Sequence, residues 1–178
     1  DAFGELRSRV GAEEFIGCRL VLAGGFDRRL PEVRALVERL YAQASVLGIA
    51  EQVELRFDPT DEAMGELWRE AFAFVHPAPA EHFGIVLIEA MAHRLPVLAV
   101  NYGGPLEIVV EGVTGALRPF DAGDFADVLA QWIRQPAQAT ALGAAGRMRA
   151  EAEFSLNRFS TKFAAQVELA MIRPSLPQ

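Results

Sequence analysis

Glu81-His82-Phe83-Gly84-Ile85-Val86-Leu87-Ile88-Glu89-Ala90-Met91-Ala92 decides how this chain is read. The apolar run Phe72–Val75 just before it reads as a buried strand. His76-Pro77-Ala78-Pro79-Ala80 ends that strand, because proline brings no N–H to a sheet ladder. From Gly84 onward Ile85, Ile88, Met91 and Ala92 recur at helical spacing, which predicts a helix starting near Phe83. The product is strand, tight loop, helix. In a parallel sheet such a loop lies at the carboxyl end of the strands, where open α/β folds take their ligands. Unmatched N–H groups at the helix start favour an anion there, such as a phosphate. Glu81 stands in the loop and Glu89 about two turns into the helix. A carboxylate only accepts hydrogen bonds, so this pair suits hydroxyl donors better than phosphate. The chemistry fits a ligand with sugar hydroxyls beside a phosphate.

Working outward, the same alternation continues in both directions. Ala2, Phe3, Leu6 and Val10 show helical spacing that ends at Gly11. Arg19–Ala23 reads as a strand stopped by Gly24-Gly25. Pro31–Leu47 reads as a long amphipathic helix, with proline in its first turn and Gly48 just past its end. Gln52–Phe57 alternates as a strand, and Thr60 is placed to cap a helix running to about Ala71, with Asp61 and Glu62 in its first turn. Beyond the central motif come a strand at Pro96–Val100, the loop Asn101-Tyr102-Gly103-Gly104-Pro105, a short helix at Leu106–Val110, and a turn at Gly112–Gly115. A last strand follows at Ala116–Arg118. Asp121-Ala122-Gly123-Asp124 resembles a capping box, and helices are expected at about 122–134, 138–152 and 156–170, with Pro174 and Pro177 marking a frayed end. Strands alternating with helices predict an α/β fold with a doubly wound, mostly parallel sheet. No linker divides residues 1–178, which read as a single lobe. The strand that should feed the first helix is missing, so the sheet is expected to carry an unpaired edge or a changed strand order.

Composition narrows the classes. Of 178 residues, 51% are hydrophobic, ample for a core, and the formal net charge is −7 with the basic residues scattered, which argues against nucleic acid as a partner. Cys18 is the single cysteine; it sits in an apolar run and reads as a core thiol. No apolar run approaches the ~20 residues of a membrane span, and Asp1–Glu5 does not read as a signal peptide. Opening on Asp1 rather than Met, the chain is expected to be a fragment, a processed form or an isolated domain. The three histidines lack metal-ligand spacing, so no metal site and no cofactor are expected.

Each candidate residue has a plainer reading. Glu81 is either a ligand contact or a solvated loop carboxylate near a helix dipole, and Glu89 either a ligand contact or part of an exposed face. His82 either donates to a ligand or holds the loop. His76 and His93 read as structural, His93 lying against a helix C-terminal dipole. Gly24-Gly25 and Gly103-Gly104 either admit a ligand to the backbone or make tight turns. Glu107 reads as a first-turn acid. Gly24-Gly25 does not complete G-x-G-x-x-G, no P-loop is present, and no serine has a nucleophile-elbow setting.

Glu81 to Glu89 resembles the Glu-x7-Glu motif of retaining glycosyltransferases of the GT-B fold. The likeness extends through Pro96-Val97, Gly103-Gly104-Pro105-Leu106-Glu107 and Gly112-Val113-Thr114-Gly115, covering roughly residues 19–120. Phe154-Ser155 with Arg158-Phe159 resembles the family's C-terminal helix. Leu22-Ala23-Gly24-Gly25-Phe26-Asp27 and Ala99-Val100-Asn101 are similar to mannosyltransferases that extend the dolichol-linked oligosaccharide. The resemblance implies a Rossmann-like C-terminal, donor-binding lobe, lacking its first strand and the acceptor lobe. It implies that Glu81 contacts the donor hexose as the catalytic carboxylate and that Glu89 holds the ribose hydroxyls. His82, Phe83, Gly84, Ile85 and Val86 would surround the phosphate, Gly24 and Gly25 border the nucleotide, and Arg56 and Phe57 lie by the base. The implied donor is GDP-mannose, the implied acceptor a lipid-linked glycan, and the implied place the cytosolic face of the endoplasmic reticulum. A UDP-glucose-type donor and a non-catalytic nucleotide-sugar module stand as alternatives. The family's Arg and Lys that contact the diphosphate precede its first helix, so no residue here matches them, and this lobe alone is expected not to turn over. His93-Arg94-Leu95 replaces the small residue plus glycine usual before Pro96-Val97, a less favourable left-handed helix end.

Overall fold

The computed structural model describes residues 1–172, and Pro174 and Pro177 lie outside the described residues. The chain opens on α1 (Ala2–Val10), which ends at Gly11 and turns at once into a second short helix, α2 (Ala12–Ile16), that the sequence reading lacked. Then come β1 (Leu20–Gly24), α3 (Pro31–Val46), a 3₁₀ turn at Ala50–Gln52, β2 (Val53–Phe57) and α4 (Asp61–Glu70). β3 (Phe74–His76), α5 (Ile85–Ala92), β4 (Val97–Val100), α6 (Pro105–Ile108) and β5 (Gly115–Arg118) follow. Three helices close the chain: α7 (Ala122–Arg134), α8 (Pro136–Phe154) and α9 (Leu156–Ile172).

Local chemistry sets these bounds. The Thr60 hydroxyl accepts from the Ala63 N–H at 3.2 Å and so caps α4. Asp121 accepts from the Asp124 N–H at 3.1 Å at the start of α7, but its own N–H bonds the Pro119 carbonyl, so only half of a capping box forms. Two expected boundaries shift. The strand expected at Phe72–Val75 lies two residues later, because the Phe74 N–H reaches the Pro96 carbonyl at 3.0 Å while Phe72 stays exposed. The helix expected near Phe83 begins at Ile85, because Gly84 adopts φ 88, ψ 57, a left-handed conformation no helical residue takes.

All strand pairs are parallel, as expected of an α/β chain, but they form two ladders: β1-β2 and β3-β4-β5. A single continuous sheet is not formed among the described residues; β1 and β3 each keep one edge free. β4 is the centre. Val97 and Ala99 pack into one cluster with Leu87, Ala90 and Met91 of α5, while Leu98 and Val100 pack into another with Phe125, Val128 and Trp132 of α7. This is the two-residue period of a strand covered on both faces. A third cluster joins Phe3 and Leu6 of α1, Phe15 of α2, Ala44, Ile49 and Ala130, with Leu20 and Val53 packed against it. Cys18 is half-buried at the rim of that cluster rather than inside it, and burial pushes its thiol pKa up. His93 caps the end of α5 and stacks on Trp68, ring centroids 5.8 Å apart.

Candidate functional site

The site grows from the carboxyl end of β3. Between His76 and Ile85 the chain folds back so that the Glu81 carboxylate accepts the Phe83 N–H at 3.1 Å. That bond is the main reason the Glu81 carboxyl sits below the usual carboxylate range; partial desolvation opposes it, and His76 adds to the lowering. The other Glu81 oxygen lies 3.4 Å from His76 Nε2. His76 Nε2 is buried and makes no hydrogen bond of good geometry, so the contact is a close polar approach rather than a formed bond. At Gly84 a Cβ would lie 2.2 Å from Leu87 Cδ1 and 3.1 Å from Glu81 Cγ, so glycine alone fits both the space and the left-handed turn. α5 then starts with the N–H groups of Ile85 and Val86 met by no backbone or side-chain acceptor among the described residues.

The second glycine pair does something other than admit a ligand. A Cβ on Gly103 would come 2.3 Å from the Glu81 carbonyl, and one on Gly104 2.2 Å from the Phe83 carbonyl. The Gly104 N–H donates to the Glu81 carbonyl at 2.9 Å. Gly103-Gly104 is therefore the seat on which the Glu81–Phe83 loop rests. His82, Phe83 and Glu89 are exposed, and the Glu89 carboxylate makes no hydrogen bond or ion pair among the described residues.

A second group gathers at the carboxyl end of the β1-β2 ladder. Space around Gly24 is open, and a Cβ on Gly25 would meet only Asp58 Oδ1 at 3.9 Å. The Asp58 N–H donates to the Gly24 carbonyl at 3.0 Å, and its carboxylate accepts the Phe26 N–H at 2.9 Å. Phe26 and Phe57 pack with their rings tilted by 32° and centroids 4.5 Å apart, making an aromatic ledge beside Gly25. Arg56 does not share that ledge: strand alternation puts it on the opposite face from Phe57, where Glu54 binds its guanidinium at 2.5 Å.

Glu81, Phe83, Gly84 and the start of α5 are thus brought together at the end of one ladder. Gly24, Gly25 and Phe57 meet at the end of the other. No hydrogen bond or ion pair links the two groups among the described residues. Sequence reasoning missed His76, Phe26, Asp58 and the clasp by Gly104. For His76 a signal was there: a polar residue closing an apolar strand at its ligand-facing end. It also missed a groove of about 500 Å³ beside α5, lined by Phe83, Ile85, Ile88, Phe154, Phe159 and Phe163. The spacing of Phe159 and Phe163 on α9 was its trace in the sequence.

A family model described as "Glycosyl transferases group 1" matches residues 1–149. The chain is 33% identical over 156 residues to the protein named alpha-1,3/1,6-mannosyltransferase ALG2 of Mus musculus, an alignment covering 88% of this chain and 38% of that protein. It is 32% identical over 160 residues to the Homo sapiens protein of the same name, covering 90% and 38%. It is also 34% identical over 163 residues to GDP-Man:Man(3)GlcNAc(2)-PP-Dol alpha-1,2-mannosyltransferase of Mus musculus, covering 89% and 32%. The chain therefore spans under two fifths of the length of these relatives. Among solved structures it is similar to sucrose-phosphate synthase (tll1590) from Thermosynechococcus elongatus, with a TM-score of 0.78, 28% identity, and coverage of 96% of this chain and 43% of that one. It shares its fold with the C-terminal domain of the glycosyl transferase group 1 family protein LpcC of Francisella tularensis, with a TM-score of 0.70, 22% identity, and coverage of 87% and 78%.

Proposed function

This chain belongs to the group 1 glycosyl transferases, and on that premise we propose that residues 1–178 are the donor-binding lobe of a retaining mannosyltransferase. The donor is GDP-mannose and the acceptor a dolichol-diphosphate-linked oligosaccharide at the cytosolic face of the endoplasmic reticulum, held by an acceptor lobe outside these residues. No helix among the described residues is long and apolar enough to cross a membrane. The observation that carries the reading is the turn at Gly84: an ionised carboxylate, a glycine-opened helix start with unmatched N–H groups, and a free carboxylate further along the same helix.

Each part has a role in that reaction. The Ile85 and Val86 N–H groups and the α5 dipole receive the diphosphate and stabilise it as it departs. Glu81 contacts the hexose hydroxyls, and its negative charge favours the oxocarbenium-like centre that forms as the leaving group goes. The contact with His76 and the clasp by Gly104 hold it in place. Glu89 accepts the ribose hydroxyls. The open backbone at Gly24 and Gly25 borders the nucleotide, and the Phe26–Phe57 ledge lies where a base can stack.

The test is isothermal calorimetry of GDP, GDP-mannose, UDP and UDP-glucose against the protein and its Glu89→Ala and Glu81→Ala variants. Guanosine ligands should bind selectively. Glu89→Ala should weaken GDP by roughly tenfold or more, the loss of hydrogen bonds to a charged acceptor. In a longer form that carries the acceptor lobe, Glu81→Ala should lower mannosyl transfer more than it lowers GDP affinity. Selective uridine binding would replace the donor with a UDP-sugar. Binding of none of the four by a folded sample would make the chain a non-catalytic module.

A further inference from the structure

α8 touches both helices of the donor site through two arginines. Arg147 donates to the Ala92 carbonyl at the end of α5. Two residues on, Arg149 donates from Nε to the Ile108 carbonyl and from Nη2 to the Glu107 carbonyl, each at 2.8 Å. Each arginine thus holds the carboxyl end of a helix whose amino end belongs to the site. α5 opens at Ile85, and α6 opens at Pro105 just past the Gly104 clasp. A cation at a helix carboxyl end also meets the negative pole of the helix dipole.

α6 depends on such a hold. It is one turn, about 6 Å long at 1.5 Å per residue, and a single turn has no stability of its own. Its first carbonyls are used locally: Gly103 accepts from Leu106, Gly104 from Glu107 and Pro105 from Val109. The Glu107 and Ile108 carbonyls would be left over, as at the end of any helix, and Arg149 takes both. No other side chain among the described residues hydrogen-bonds to the α6 backbone. Pro105 and Ile108 are buried, which sets how deep the turn lies. Burial is non-directional and leaves its tilt open. The planar fork of a guanidinium is directional, so two bonds to successive carbonyls fix that tilt. The fork is held in turn. The Arg149 guanidinium lies 5.6 Å from the ring centroid of Phe154, which packs against the core cluster of Leu87 and Met91.

At the other end of this short turn the Gly104 N–H donates to the Glu81 carbonyl at 2.9 Å. The Phe83 backbone lies so close that a Cβ on Gly104 would come 2.2 Å from its carbonyl oxygen. A tilt at Ile108 is therefore carried one turn away to the loop that bears Glu81. We propose that Arg149 is a positioning residue of the donor site: by clamping the carboxyl end of α6 it sets the place of Gly104 and, through the Gly104 clasp, of Glu81. Its bearing on the donor rests on the reading of the Glu81 turn given above; the mechanical link does not.

Three variants of the chain test it. Arg149→Lys keeps the charge and loses the fork. Arg147→Lys makes the same change two residues away, on the side of α5. Gly104→Ala breaks the clasp itself. The Phe83 N–H donates to the Glu81 carboxylate, so its amide reports where Glu81 stands. Amide hydrogen exchange read by NMR should show the Gly104 and Phe83 N–H groups exchanging roughly tenfold or more faster, relative to the amides of β4, in Arg149→Lys. Arg147→Lys should leave the Gly104 amide unchanged. GDP affinity by calorimetry should fall roughly threefold or more in Arg149→Lys, and the same substitution should cost nothing further in the Gly104→Ala background, where the link it acts through is already broken. Its effect on the denaturation midpoint should persist there, because the end of α6 still loses its fork. Unchanged exchange at Gly104 and Phe83 in Arg149→Lys overturns the proposal. So does equal loosening of Gly104 by both lysine variants, or affinity losses that add in full; either would make Arg149 a helix cap with no part in the site. If the parent chain binds no GDP, the donor reading fails by itself, and the two amides still decide whether Arg149 places the turn.

Discussion

Gly104 marks how finely single residues set this site. Its missing side chain lets the Phe83 backbone come close enough that a Cβ would lie 2.2 Å from one carbonyl oxygen, while its N–H holds the Glu81 carbonyl at 2.9 Å. Gly104→Ala should push the Glu81–Phe83 loop away and weaken GDP binding by at least roughly tenfold, while circular dichroism keeps the α/β signal. Unchanged affinity would mean that the clasp does not shape the site. Glu81 yields a second prediction. Its folded pKa is lowered, chiefly by the Phe83 N–H, so the ionised group adds stability above its unfolded value of roughly pH 4.3, and that contribution is lost as pH falls through the lowered value. Denaturation midpoints of the protein and of Glu81→Gln should therefore differ by a constant amount at neutral pH and converge as pH drops well below ~4. A gap that persists at ~pH 2 would show that the carboxylate charge is not involved. At this scale the candidate carboxylates and Gly84 were legible, because acids flanking a glycine at a strand–helix turn carry their chemistry in their spacing. The role of His76 was not: four residues separate it from Glu81, and only the fold-back of the loop brings the imidazole to 3.4 Å.

Elements were read from sequence wherever one face dominates. α7 came out at its observed bounds, and the Thr60 and Asp121 caps formed as their residue types suggest. α2 was missed because five residues are too few for periodicity to speak. The end of α5 is informative. Arg94 takes φ 61 where the chain leaves the helix, the left-handed position that a glycine would fill without cost. Arg94→Gly should raise stability by about 1 kcal/mol in chemical denaturation; a loss would show that the Arg94 side chain contributes more than its backbone strain costs. The opposite case lies across the contact, on α8. A Cβ on Gly143 would sit 1.9 Å from the Arg94 carbonyl. Gly143→Ala should cost about 1–3 kcal/mol despite its better helix propensity, because α8 must move off the α5–β4 turn. A stabilised variant would mean that α8 shifts freely.

The whole molecule is a well-covered three-stranded half joined to a thinly covered two-stranded one. Amide exchange should accordingly be slowest in β4, approaching the global unfolding limit, and clearly faster at Leu22 and Gly24, although the latter pair is bonded to β2. Equal protection in the two halves would show that they unfold as one unit. The parallel α/β architecture, the order of its strands and, α2 apart, of its helices, and the Glu81–Glu89 turn follow from the sequence alone. Each rests on local periodicity, on proline and glycine punctuation and on the spacing of charges within one segment. The division into two ladders, the seating of the Glu81 loop on Gly103-Gly104, the approach of His76 and the separation of Arg56 from Phe57 were decided by tertiary structure. Each depends on which segments distant in sequence lie side by side, and hydrophobic pattern fixes what is buried without fixing which neighbour buries it.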